Sequence, residues 1–106
     1  MNNSIPTTIR IGKSAYRLEF PDRMPNPLVR GNINYGTRTI SIAYRAGVPL
    51  RRRSDSGRMK TYWHEVVHGI LYDMGSRKFR DEIFVDGIAT RIAQVTNSAR
   101  FEKRGW

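Results

Sequence analysis

The chain contains no cysteine. A disulfide framework and a thiolate metal site are both excluded. Histidine is nearly as scarce, with two in 106 residues. A metal site built here can take at most those two imidazoles, and any further protein ligand must be a carboxylate. No apolar run reaches the roughly 18 residues that a membrane-spanning helix needs. The opening residues, Met1-Asn2-Asn3-Ser4-Ile5-Pro6, lack the charged and apolar regions of a secretory signal. A cytoplasmic protein is the expectation. Acidic residues are few, 9 against 19 Lys and Arg, for a net charge of +10. That excess favours nucleic acid, phosphates or acidic partners.

What is present suits one domain over residues 1–106, with 39% hydrophobic residues for a small core. Thr8–Ile11 and Ala15–Phe20 alternate apolar and polar residues around Gly12-Lys13-Ser14, which predicts two short strands or a hairpin. Pro21, Pro25 and Pro27 interrupt regular structure. Ile33–Tyr35 and Thr39–Tyr44 form a second strand pair around Gly36-Thr37-Arg38, and the period of two in Thr39–Tyr44 predicts a half-buried strand.

The period changes near Thr61. Trp63, Val66, Val67, Ile70, Leu71 and Met74 recur at helical spacing. Gly75-Ser76 suits a helix end, and Asp81 or Ser76 suits the cap of a second helix. That helix carries Phe84, Val85, Ile88, Ile92 and Val95 as its stripe and runs to about Ser98. Trp106 suggests that the chain end docks. The order predicts an α+β fold, an antiparallel-rich sheet followed by two packed helices. Between sheet and helices lies Arg51-Arg52-Arg53-Ser54-Asp55-Ser56-Gly57-Arg58-Met59-Lys60. This run reads as a solvated loop. Its other reading is a nucleic-acid contact, although no nucleic-acid-binding motif accompanies it and no aromatic residue interleaves it.

Both histidines fall in His64-Glu65-Val66-Val67-His68. Residues four apart on a helix share a face, about 5–6 Å apart at Cβ, so two imidazoles can hold one metal ion. A glutamate beside the first histidine can reach a metal-bound water and take its proton. The third ligand has to be an acid. Asp73 points to another face and Glu102 lies in the tail. Asp81, Glu82 and Asp86 open the second helix, which a short turn would bring back beside the histidines. Glu82 and Asp86 share a face. One can bind the metal while the other accepts an imidazole N–H. The longer reach favours Glu82 as ligand and Asp86 as acceptor, and the reverse assignment stays open.

His64-Glu65-x-x-His68 followed by Glu82-x-x-x-Asp86 resembles the gluzincin branch of the zincin metallopeptidases. The stretch from about Ile33 to Thr96 also looks like compact ImmA/IrrE-type metallopeptidases and small zincin-like proteins of phages. The resemblance implies a minimal zincin-like domain and one zinc ion bound by His64, His68 and Glu82. It implies Asp86 as the support of a ligand histidine and Glu65 as the base that activates zinc-bound water to cut a peptide bond. The metzincin pattern is excluded, since position 71 is Leu and no third histidine follows. SprT-like proteases also use a third histidine. A substrate peptide is expected to lie along an edge strand near Thr39–Tyr44. Tyr62, Tyr72, Arg77, Arg80 and Arg91 are the candidates for stabilising an oxyanion.

Three functions compete on this reading. The first is a zinc metallopeptidase with a narrow protein substrate in a host cell or phage. The second is a zincin-fold protein that binds nucleic acid or a protein, its zinc structural. The third is a metal-free interaction module in which the motif is accidental.

Overall fold

Strand alternation resolves into a four-stranded mixed sheet in a computed structural model that describes residues 4–102. Strands β1 (Thr8–Ile11) and β2 (Ser14–Glu19) form an antiparallel hairpin, with Ile9 opposite Tyr16. Strands β3 (Gly31–Asn34) and β4 (Thr39–Ile42) form a second antiparallel pair, with Ile33 opposite Ile40. The two pairs join through a parallel contact between β2 and β4, giving the order β1-β2-β4-β3. Two expectations need correction. Strand β4 is an inner strand with Thr39, Ile40 and Ile42 all buried, not a half-buried one. The edge beside the helices is β3, not the segment near Thr39–Tyr44. Period-two alternation reports which side chains face a core. It does not report which strand acquires neighbours on both sides.

The basic run is not a loop. Arg51–Arg52 forms β6 and pairs with β5 (Arg45–Ala46) in a small ribbon. Ser54 then caps α1 (Asp55–Asp73), its Oγ accepting the Gly57 N–H at 3.0 Å. Asp55 in the first turn suits the positive end of the helix dipole. The helix therefore starts at Asp55 rather than near Thr61. Its first turn, Asp55 to Arg58, has no apolar side chain to extend the stripe, and Met59 is the first residue of the helix to pack on the core. Ser54→Ala should lower stability by about 1 kcal/mol in a urea melt, the usual loss for an N-cap. An unchanged midpoint would remove the cap from the account.

Helix α1 ends in a Schellman motif. The Gly75 N–H donates to the Tyr72 carbonyl at 3.0 Å and the Ser76 N–H to that of Leu71 at 2.9 Å. Gly75 takes φ +70°, where a Cβ would be strained. A 3-10 turn over Arg77–Arg80 follows, capped by Ser76. Asp81 caps α2 (Glu82–Ser98) by accepting the Phe84 N–H at 3.0 Å. That hydrogen bond holds the Asp81 carboxyl below its ordinary range. Both candidate caps are thus used, one for each element.

Helix α1 lies at the centre. Tyr62 and Val66 pack on Ile11, Tyr16, Leu18, Ile40 and Ile42 of the sheet. Val67 packs on Val85 and Ala89 of α2, with Trp63, Leu71, Ile88 and Ile92 around them. A third face, free of both packings, carries His64 and His68. Among the described residues no helix is long and apolar enough to cross a membrane. The docking expected of Trp106 lies outside the described residues.

Candidate metal centre

His64 and His68 stand one turn apart on α1, and the 3-10 turn returns the chain so that Glu82, the first residue of α2, faces them. Three atoms converge there. Glu82 Oε1 is 2.9 Å from His64 Nε2 and 3.2 Å from His68 Nε2, and the two Nε2 atoms are 3.2 Å apart. Ligands 2.0–2.1 Å from a tetrahedral zinc sit about 3.3–3.4 Å from one another. The spacing is close to one face of that tetrahedron, and this group could hold a metal ion.

The outer ring atom of His68 assigns its tautomer. His68 Nδ1 lies 2.6 Å from the Phe79 carbonyl oxygen, which only accepts, so Nδ1 carries the proton. His64 Nδ1 lies 3.4 Å from Asp86 Oδ1, an ion-pair distance. In a neutral ring His68 Nε2 then presents its lone pair to Glu82 Oε1, 3.2 Å away. Two acceptors this close repel unless a metal ion, or a proton carried on His64 Nε2, sits beside them. Fixing ligand imidazoles through their far nitrogens is the usual second layer of a metal site.

The other acids are engaged elsewhere. Asp73 lies against Gly12 at the far end of α1. Asp81 caps α2 and pairs with Lys78 at 3.6 Å. Glu102 is exposed in the tail. Glu82 meets both imidazoles and Asp86 meets the far nitrogen of one, the arrangement that side-chain reach favoured. The Phe79 carbonyl had no signal in the sequence, because a backbone acceptor is defined only by how the turn folds. Phe79 is itself held edge-on by Tyr35 and Tyr72.

Glu65 is 7% exposed and lies beneath β3, beside Gly31. Burial raises its carboxyl pKa, and the Glu82 charge adds to that while His64 and His68 oppose it. A Cβ at residue 31 would come within 2.6 Å of Thr61 Cγ2 and 2.8 Å of the Ser41 carbonyl oxygen. Glycine is what lets the strand approach the helix this closely.

His64, Glu65, His68, Glu82 and Asp86 line a cleft of about 820 Å³. Strand β3 forms its other wall through Gly31, Asn32 and Ile33. The Ala43 N–H donates to the Arg30 carbonyl. Antiparallel alternation then points the backbone groups of Asn32 and Asn34 at β4, and those of Gly31 and Ile33 outward. Of the expected oxyanion donors only Arg80 lines the cleft. Tyr62 is buried in the core against Trp63. Tyr72 stacks on Tyr35 at 4.1 Å, and Arg91 donates to the Gly87 carbonyl at 3.0 Å. Tyr35, which no motif marks, does line the cleft. Its phenol is pushed up to about 12, chiefly by burial and then by the Glu65 charge, and so keeps its proton at neutral pH.

Comparison with protein-family models, curated proteins and solved structures returns no match for this chain.

Proposed function

We propose that the chain is a zinc-dependent metallopeptidase that cuts a peptide laid along β3. The observation that carries this is the convergence of three lone-pair donors, His64, His68 and Glu82, beside a buried carboxyl in an open cleft. Two imidazoles and a carboxylate are a common catalytic zinc set, and zinc there would polarise a peptide carbonyl and make water a nucleophile at neutral pH. Phe79 and Asp86 hold the ring orientations of His68 and His64. Glu65 takes the proton of the attacking water and returns it to the leaving amine. Burial raises its carboxyl pKa, which makes it a better acceptor for that proton. The outward backbone groups of Gly31 and Ile33 give an extended peptide its hydrogen bonds. Tyr35 and Arg80 are the donors within the cleft for the developing oxyanion.

A zincin-fold binding protein with structural zinc is the second reading, and the +10 charge favours it. Structural sites are closed by four protein ligands. Here three converge, and the Glu82 side chain is 69% exposed at the cleft, which favours the hydrolytic reading.

The test pairs metal content with melting and cleavage. Protein purified without chelator should carry close to one zinc per chain. Chelation should lower the melting midpoint and stop cleavage of a peptide library, and zinc should restore both. A protein that takes up no zinc, or that cleaves equally well after chelation, would sink the proposal.

A further inference from the structure

Outside the metal centre, every charged side chain that lines the cleft is a cation: Arg30, Arg53, Lys60 and Arg80. A second cavity of about 300 Å³ shares Leu28, Arg30, Arg53 and Gly57 with the cleft. Arg30, Arg51, Arg52 and Arg53 line this cavity, with Gly57 from the first turn of α1, and no acid does. Among the described residues none of these arginines has a carboxylate within ion-pair distance.

Arg53 shows how unbalanced the charge is. Its guanidinium donates to the carbonyls of Arg30, Ala43 and Gly57 at 3.3, 3.4 and 2.9 Å, and to the Thr61 hydroxyl. All four acceptors are neutral. Burial, with Arg30 and Arg58 nearby, lowers its pKa. Arg53 is therefore a structural cation fixed in place, while Arg30, Arg51 and Arg52 have exposed side chains around it. The positive end of the α1 dipole adds to the same field.

We propose that this arginine-lined cavity is an anion subsite of the cleft, selecting a peptide with an acidic side chain three or four residues from the bond that is cut. This rests on the metallopeptidase reading above. The spacing comes from α1. Gly57 at the cavity and Glu65 at the metal centre are eight residues apart on the helix. At about 1.5 Å per residue that is about 12 Å, or three to four residues of extended peptide. A carboxylate fits the fork of a guanidinium with two hydrogen bonds. A peptide is favoured over nucleic acid because Arg30, which lines both cavities, directly precedes the edge strand where Gly31 and Ile33 offer their backbone groups. The nearby ring of Tyr44 is also occupied, with Arg58 at 4.7 Å and Arg52 at 5.5 Å from its centroid. It offers no open platform for stacking a base.

The experiment uses matched fluorescent peptides bearing Glu, Gln or Lys at the third and fourth residues on either side of the scissile bond. Cleavage by the zinc-loaded protein is measured together with binding to zinc-loaded Glu65→Gln. The Glu peptide should be preferred by about tenfold, and the preference should shrink as salt rises. The double variants Arg30→Gln/Arg52→Gln and Arg30→Glu/Arg52→Glu leave Arg53 in place, and circular dichroism verifies their fold. The first should abolish the preference and the second should turn it toward the Lys peptide. Should either variant fail to fold, the salt dependence of the parent's preference decides the matter.

Cleavage that depends on Glu65 but ignores peptide charge would overturn the subsite and leave the metallopeptidase standing. Glu-peptide binding that requires Arg30 and Arg52, with no cleavage by any form, would keep the subsite and end the metallopeptidase reading. Tighter binding of a single-stranded oligonucleotide, lost in the same variants, would overturn the peptide as occupant. Failure of every probe to bind or be cut would overturn the proposal as well.

Discussion

Glu65→Gln is expected to keep the metal and to slow peptide cleavage by roughly 10²–10⁴-fold, the usual contribution of a positioned general base. Glutamine has nearly the same shape, so it can occupy the same buried space beneath Gly31. It is not a ligand in the proposed set, so zinc per chain should match the parent. It cannot take a proton from water. The fold should also survive, because the change replaces a costly buried carboxylate with a neutral amide. Metal content and melting midpoint report on the site, and cleavage rate reports on the proton transfer. Undiminished cleavage by Glu65→Gln would remove Glu65 as the base. A parent and variant that both bind zinc and perform the same biological task would point to the binding protein instead.

Glu82→Ala and Asp86→Ala should separate into a large loss and a moderate one. Structural zinc sites bind with about 10–16 kcal/mol over four ligands. Losing one ligand therefore weakens affinity by roughly 10²–10³-fold. Glu82 Oε1 lies within 3.2 Å of both Nε2 atoms, so its removal takes away a ligand. Asp86 contacts only the far nitrogen of His64 at 3.4 Å, and loss of such a support weakens binding about 10–100-fold. Competition with a zinc-responsive dye measures both. A greater loss in Asp86→Ala than in Glu82→Ala would exchange the two roles.

The candidate site was legible because its chemistry needs particular residue types at helical spacing. His64 and His68 are the only imidazoles, so the acid requirement followed by elimination, and the shared face of Glu82 and Asp86 narrowed it further. The supports were less legible. The Phe79 carbonyl belongs to no motif, and neither does Tyr35, which lines the cleft while stacked on Tyr72 across the fold. Arg53 read as part of a solvated run, yet its guanidinium holds four acceptors together. A charged side chain in sequence does not reveal whether neutral carbonyls will surround it.

From residues alone came the α+β class, the two strand pairs, the two helices and the five side chains of the proposed site, because periodicity, capping and ligand chemistry act over a few neighbouring residues. Tertiary structure decided that β4 has neighbours on both sides and that β3 is the edge beside the cleft, since the parallel contact with β2 joins segments that no local pattern links. It also decided that β6 and the first turns of α1 replace a loop. Finally, it brought Glu82 onto the two imidazoles. That meeting depends on the Schellman turn, the 3-10 turn and the packing of Val67 on Val85 and Ala89 acting together.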